Sequence, residues 1–417
     1  MEIEIGYGTT PQKLNLPDGQ ILDILYPNKV NIYSRGKEEV RRALSRPIAS
    51  AALASIVCGK KKIVIITSDI TRPMPSCLVL PILLDELKEA GIQPEQITIV
   101  FALGSHRRHT EREKEQLAGS EVYRTIRCED SSDSDFLYLG MTSGGTPVEI
   151  CRTVAEADFR ICLGNIEYHY FAGYSGGAKA IMPGVSTRAA IQANHSRMVD
   201  KKACAGNIED NPIRLDIEEV LKLCPVDFIL NVVLDEHKQI IHAVSGDVIE
   251  AHREGCRFLD QLYRKEIRQK ADIVIVSQGG APKDLNLYQT QKALDNARHA
   301  VRPGGIVILA GACPEGMGEH VFETWMTQSQ SPQEILLRIQ RDFQLGGHKA
   351  AAIAMVLENA RIFLVSEMPD DFVRSIYMEP YASVQEAYEA AVQILGKHAT
   401  VLIMPYGGST LPVSVQK

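Results

Sequence analysis

Two histidines bracket a glycine-rich turn that ends on a lysine, and this stretch carries the densest chemistry in the chain. It reads Glu167-Tyr168-His169-Tyr170-Phe171-Ala172-Gly173-Tyr174-Ser175-Gly176-Gly177-Ala178-Lys179, then Met182-Pro183-Gly184, then Ala193-Asn194-His195-Ser196. Glycines let backbone N–H groups approach an anion closely. Lysine pairs with phosphate, or acts as a nucleophile once its pKa falls. Histidine moves protons near neutral pH and ligates transition metals. Anion cradle, amine, base and metal ligand in one segment point to a cofactor-dependent active site.

Other polar residues follow apolar runs. Ser68-Asp69-Ile70-Thr71-Arg72-Pro73 comes after Ile63-Val64-Ile65-Ile66. It reads as a turn, with Arg72 placed to hold a carboxylate by a bidentate pair. Gly104-Ser105-His106-Arg107-Arg108-His109 follows the run Ile97 to Leu103. His106 is a candidate base there, whereas His109, beside a helix cap, reads as exposed.

These loops need elements to aim them. The apolar runs are typical of buried parallel strands. Val40 to Val57 and Pro81 to Ala90 read as helices, with Pro81 in a first turn. Thr110 and Glu113 form a capping box. Phe159 to Leu163 is a strand that enters the central motif. Phe228 to Leu234 and Gln239 to Val244 form a hairpin around Asp235-Glu236-His237-Lys238. Val248 to Tyr263 is an amphipathic helix. Ile273 to Val276, a glycine loop, a helix through Arg298 and Ile306 to Ala310 make a βαβ unit. Ile362 to Val365 and Val401 to Met404 are later strands, with a helix from Val384 to Leu395 between them.

At 417 residues the chain is long enough for two domains. Composition places the division near Lys265 to Gln269, giving an N-terminal catalytic domain over 1–267 and a C-terminal α/β domain over 268–417. The last strand is free to return to the first domain. The expected fold is α/β, with mostly parallel sheets in both domains. In such sheets ligands bind beyond the carboxyl ends of the strands. The polar residues cluster there, which predicts one cleft between the two units.

Several classes are disfavoured. A net charge of -7, with only short basic clusters, argues against non-specific nucleic-acid binding. No uncharged apolar run approaches the ~20 residues that span a bilayer. Met1-Glu2-Ile3-Glu4-Ile5 has no signal-peptide character. Nine dispersed cysteines without C-x-x-C spacing suggest reduced thiols in a cytoplasmic protein. Neither the Walker loop nor G-x-G-x-x-G is present, which disfavours an NAD-type oxidoreductase. His169 and His195 are too widely spaced for a zinc motif and have no third ligand. Gly173-Tyr174-Ser175-Gly176-Gly177 satisfies G-x-S-x-G, yet the strand-to-helix context of a nucleophile elbow is missing.

Together these segments resemble the lactate racemase family, the 2-hydroxyacid racemases and epimerases that use a nickel-pincer nucleotide. The resemblance covers nearly the whole chain. It also takes in Asn231-Val232-Val233-Leu234-Asp235 and Asn286-x-Tyr288-Gln289-x-x-Lys292. It implies that Lys179 carries the nucleotide covalently, that His195 ligates nickel, and that His106 and His169 are acid/base residues. It implies substrate contacts from Arg72, Tyr288, Gln289 and Lys292, and a supporting role for Asp69. Ser175, Gly176 and Gly177 fall on the cofactor side of the turn. The implied partners are a small 2-hydroxyacid and the proteins that build the cofactor. The oligomeric state is not legible. A catalytically silent relative is disfavoured because both histidines, the lysine and the nickel-ligand position are present. One departure stands out: lactate racemase carries a tryptophan near the substrate in its second domain. Here Gly346-Gly347-His348-Lys349 occupies that stretch, and the single tryptophan, Trp325, lies elsewhere in sequence. A smaller or more polar wall suits a substrate larger than lactate.

Overall fold

The computed structural model describes residues 1–235 and 237–415. It divides into two compact units, Val30–Asp260, and Met1–Lys29 with Gln261–Lys417.

In the Val30–Asp260 unit the run Ile63-Val64-Ile65-Ile66 is fully buried, as the backbone of a central strand requires. Strand Ile63–Ser68 pairs in parallel with Ile97–Ala102 on one side and Phe159–Asn165 on the other. Arg127–Asp130 and Phe228–Leu234 extend the sheet, and Ile240–Gly246 closes it as an antiparallel edge. This edge pair is the expected hairpin; Glu236 of its turn lies outside the described residues. The sheet is covered by helices whose apolar faces share one core, including Val40, Leu83, Phe101 and Phe228. Because the central strands are parallel, three loops leave the same end of three adjacent strands. They carry Asp69 to Arg72, His106 and His169.

The Met1–Lys29 and Gln261–Lys417 unit holds a second six-stranded sheet, parallel throughout. Its order is Glu379–Tyr381, Ala360–Val365, Val301–Ala310, Ala271–Ser277, Val401–Met404 and Ile21–Ile24. The division expected after residue 267 therefore falls at Gln261, and the first 29 residues join the C-terminal unit. The physical reason is the pairing of Ile21–Ile24 with Val401–Met404, a contact between chain ends that local composition cannot reveal. The final strand Leu411–Ser414 pairs with Arg264–Ile267 inside this same unit.

Two helix expectations need correction. Val40 to Val57 is not one helix but Gly36–Ser45 and Leu53–Val57, because Pro47 interrupts it. Pro81 lies inside helix Ser76–Glu89 rather than in its first turn. Burial of Ser76, Val79 and Leu80 extends that helix upstream, against the local cost of proline. The Thr110–Glu113 capping box forms as read.

One buried carboxylate ties helix Gly36–Ser45 to the edge strand. Glu39 accepts from Arg42 at 2.7 and 2.9 Å and from the Ala243 N–H at 3.0 Å, with His242 Nδ1 3.2 Å away. Burial alone raises this carboxyl, but hydrogen bonds from His242, Arg42, Ser34 and Ala243 outweigh it and hold it far below the ordinary value. Glu39→Ala is expected to cost about 2–3 kcal/mol at neutral pH, the scale of hydrogen bonds to a charged group. A depressed folded pKa means that the contribution exists above the unfolded carboxyl pKa and fades as pH falls through the folded one. Urea melts of both proteins at neutral and acidic pH check this, and the gap should narrow on acidification.

Candidate active site

The loop after strand Ile63–Ser68 is built around Asp69, which is buried. Its Oδ2 lies 2.7 Å from His106 Nδ1, and the Thr71 hydroxyl donates to the same oxygen at 2.9 Å. The Arg72 N–H closes the turn on the Asp69 carbonyl at 3.1 Å. Burial raises the Asp69 carboxyl, yet His106, Thr71 and the nearby Arg72 charge hold it below its usual range. An ionised carboxylate only accepts, so the His106 proton sits on Nδ1 and the lone pair on Nε2. His106 is thus set as a base by the residue that the resemblance assigns to cofactor support.

The central motif folds as a minimal hairpin, Tyr168–His169 against Gly173–Tyr174, with His169 opposite Gly173. Gly173 has φ +77°, and a Cβ there would sit 2.0 Å from the Asn207 carbonyl oxygen. No other residue fits that turn. The His169 ring stacks on Tyr170 and meets Phe171 edge-on, with centroids 4.4 Å apart. Its Nδ1 accepts the Ala172 N–H at 3.3 Å. In the neutral ring the proton is therefore on Nε2, the reverse of His106.

Lys179 sits in the single turn Gly177–Ala180. Loss of solvation, then the Arg214 and Arg72 charges, hold its amine well below the ordinary lysine value, with only Glu167 opposing. His169 is depressed in the same way by burial and by Lys179, Arg72, His195 and Arg214. The Phe171 ring touches three of these groups, with the His169 ring at 4.4 Å, the His195 ring at 4.8 Å and the Lys179 ammonium at 5.8 Å. Arg214, whose side chain is fully buried, donates Nε to the Ala172 carbonyl and Nη2 to that of Tyr174. Its buried Nη1 has no hydrogen-bond partner. Glu218 lies 4.0 Å from Arg214 Nε, but the orphaned Nη1 donor, buried near Lys179, fits a bound anionic group.

His195 ends helix Arg188–His195 and is buried. Its Nδ1 lies 2.8 Å from Asn194 Oδ1. Asn194 Nδ2 donates to Asp216 Oδ2 at 2.7 Å and to the Ile213 carbonyl at 3.3 Å, which fixes the amide orientation. Asp216 is held in turn by the hydroxyls of Thr142 and Thr146. The chain Asp216–Asn194–His195 therefore places the imidazole proton on Nδ1 and the lone pair on Nε2, the form a metal ligand needs. Among the described residues no cluster of three or more His, Cys, Asp or Glu could hold a metal alone. A metal on His195 would need donors from a bound group.

The glycine turn is less open than its composition suggests. The Gly177 N–H donates to Asn231 Oδ1 at 2.8 Å. The Ser175 hydroxyl donates to the Asn165 carbonyl at 2.7 Å and accepts the Glu167 N–H at 2.9 Å. His252 Nε2 reaches the Ser175 carbonyl at 2.7 Å, not its hydroxyl. Ser175 therefore locks the turn and has no base of its own, so the elbow reading has no support.

Tyr288, Gln289 and Lys292 lie on helix Leu287–Ala297 of the other unit, capped by Asn286. The Tyr288 ring meets His348 edge-on at 6.4 Å, and the Lys349 ammonium lies 5.7 Å from its centroid. Lys349 also donates to Gln291 at 2.7 Å. Trp325, distant in sequence, packs here: a Cβ on Gly347 would lie 2.7 Å from its ring. It is fully buried, with the Arg338 guanidinium over it at 4.2 Å. The Trp325 indole, from helix His320–Gln328, thus packs directly against the Gly347 backbone.

Arg214, Asn231, Asn194 and His252 were not singled out from sequence as site residues. Asn194 and Asn231 fell inside quoted motifs, which was a usable signal. Arg214 and His252 sit in helices without any motif.

Comparison with known proteins bears on the whole chain. The sequence model of the lactate racemase N-terminal domain matches residues 7–206, and that of the lactate racemase C-terminal domain matches residues 267–412. Lactate racemase of Thermoanaerobacterium thermosaccharolyticum is 35% identical over 422 positions, covering 98% of each chain. That of Lactiplantibacillus plantarum is 34% identical over 393 positions, covering 92% of this chain and 91% of the relative. The lactate racemase apoprotein structure from Thermoanaerobacterium thermosaccharolyticum superposes with a TM-score of 0.89 at 33% identity, covering 99% of this chain and all of that one. A Thermotoga maritima protein at 19% identity and TM-score 0.61, covering 92% and 100%, shares the fold.

Proposed function

The chain belongs to the lactate racemase family, and we propose that it inverts the hydroxyl-bearing carbon of a small 2-hydroxyacid with a nickel-pincer nucleotide held on Lys179. The gathering of His169, His195 and Lys179 around the Phe171 ring, with the Asp69–His106 pair on loops from the neighbouring strands, is the observation that carries this reading. Lactate, named in both relatives, is the first substrate to test. His348 and Lys349 beside Tyr288 are the polar groups in the second unit that favour a larger or more charged acid.

Each residue has a task that its own geometry supports. Arg72 holds the substrate carboxylate as a two-point pair. His106 takes the hydroxyl proton at Nε2, steadied by the Asp69 carboxylate on Nδ1. His169 presents Nε2–H to the oxygen from the other side, and serves the opposite stereoisomer when its weak Nδ1 contact to Ala172 gives way. When bound, the nucleotide supplies a cationic ring able to accept and return a hydride, together with carbon and sulfur donors for nickel. The depressed Lys179 amine is the nucleophile that attachment requires. The partly neutralised cluster of Arg72, Arg214 and Lys179 suits the anionic parts of that group. Tyr288, Gln289 and Lys292 are the further substrate contacts that the family resemblance implies, and they share helix Leu287–Ala297. The nine cysteines, all free, support a cytoplasmic setting beside the cofactor-building proteins.

The reading is tested by intact mass. Protein made beside the cofactor-building proteins should carry one added mass, mapping to Lys179 after proteolysis. An unmodified chain that retains NAD would support the oxidoreductase alternative instead.

A second expectation concerns the metal. Asn194→Ala should weaken nickel retention by about 10–100-fold, the usual cost of losing the partner that orients a ligating histidine. His195→Ala should lose nickel outright, while the Lys179 adduct remains in both. Metal analysis after chelator dialysis, beside intact mass, reads the two attachments separately. Full nickel retention in His195→Ala would remove that residue from the coordination sphere.

A further inference from the structure

His109 is buried, not exposed as its place beside the Thr110 cap suggests. Its Nδ1 lies 2.6 Å from Asp130 Oδ1, and its own N–H donates to Asp130 Oδ2 at 2.9 Å. Each side chain is only 1% exposed. Its ring meets Phe101 edge-on. On the far side, Nε2 accepts the N–H of Ile70 at 3.0 Å. An amide N–H can only donate, so Nε2 carries the lone pair and Nδ1–H points to Asp130. Asp130 is itself fixed at the end of strand Arg127–Asp130, where its N–H donates to Asp133 at 2.7 Å.

Ile70 stands between Asp69, which aims His106, and Thr71, whose hydroxyl braces the same carboxylate. Arg72 closes the turn. We propose that His109 and Asp130 form a positioning couple that anchors this loop to the sheet, so that a histidine which never meets substrate sets both the base and the carboxylate anchor. The line of contact runs from Asp130 through His109 to the Ile70 amide, then to Asp69 and His106. The kinetic consequence rests on the racemase reading; the coupling of His109 to the loop does not.

The two amide replacements of His109 separate its two bonds. His109→Gln puts an acceptor where Nε2 was, whereas His109→Asn keeps a group near Asp130 and loses the acceptor for Ile70. Full-length protein made with the cofactor is examined by hydrogen exchange over residues 69–72, by thermal melting, and by kcat and KM with L-lactate as the probe. In His109→Asn, exchange at 70–72 should quicken while distant segments stay protected. KM should rise through Arg72 and kcat fall through His106, a combined loss of about 10²-fold in kcat/KM, the scale of a 1 Å misplacement. His109→Gln should recover most of both. Parental exchange and kinetics in His109→Asn would overturn the proposal, and so would equal damage in both variants. If the parent leaves L-lactate unchanged but the exchange difference persists, lactate fails as substrate and the positioning couple stands.

Discussion

Lys179→Ala, prepared with the cofactor-building proteins present, is expected to show no isomerisation and no added mass. If the reaction depends on a group attached there, the loss is the entire enzymic acceleration, at least about 10⁶-fold. Lys179→Arg sharpens the test. Arginine keeps a positive charge beside Arg72 and Arg214, but it cannot be deprotonated to attack a carbonyl. It should therefore be as inactive as alanine. A lysine needed only as a counter-charge would be rescued by arginine. The same crowding predicts an effect on the protein without cofactor. The amine is held well below its usual value by lost solvation and by Arg214 and Arg72. A basic group with a depressed folded pKa disfavours folding below its unfolded pKa, and the burden eases as pH rises towards that value. Lys179→Met keeps the stem and removes the charge, so it should raise the melting temperature at neutral pH and lose that advantage near pH 10.

The second large effect belongs to the acid/base residues. His106→Ala and His169→Ala should each lower net isomerisation by about 10²–10⁴-fold, because every inversion uses both faces of the substrate. Asp69→Asn probes the pair more finely. An asparagine amide can donate to Nδ1, which moves the imidazole proton to Nε2 and removes the base; a loss near about 10⁴-fold is the scale of such a tautomer error. The two histidines should also differ. His106 is braced by a carboxylate, whereas His169 is crowded by Lys179, Arg72, His195 and Arg214 and accepts a weak amide contact. With each stereoisomer added alone, each mutant should still bleach the cofactor from the one isomer that its remaining histidine faces. Following cofactor absorbance in a single turnover reads this. Near-parental racemisation by either mutant would end the two-base assignment.

Much of the site was legible because its residues follow strands. Ile63 to Ile66, Ile97 to Leu103 and Phe159 to Leu163 are strong apolar signals, and a parallel sheet brings their following loops to one end. The sequence therefore puts Asp69, His106 and His169 after adjacent parallel strands, and the loops that hold them leave one end of the sheet. What the spacing could not carry was partnership. Asp69 was assigned to the cofactor, yet its closest contact is His106. His109 read as exposed because a cap position is usually at the surface, and nothing in sequence reveals Asp130 beneath it. Arg214 lies in helix Pro212–Glu219, outside every motif, and its partners are the backbone carbonyls of Ala172 and Tyr174. The glycine turn read as an open cradle, although Asn231 already takes the Gly177 amide. The ends of the chain misled the domain division because Ile21–Ile24 finds its neighbour almost four hundred residues later, at Val401.

The most direct test of the central claim is to give the loaded enzyme one enantiomer of lactate, deuterated at C2, and to follow both optical purity and label. If the hydrogen leaves and returns through a bound acceptor, while His106 and His169 handle only the hydroxyl proton, the acid should racemise with its deuterium retained. Racemisation with the label washed into water would contradict hydride return, and an optically unchanged sample from protein shown to carry the Lys179 adduct would contradict lactate racemisation itself.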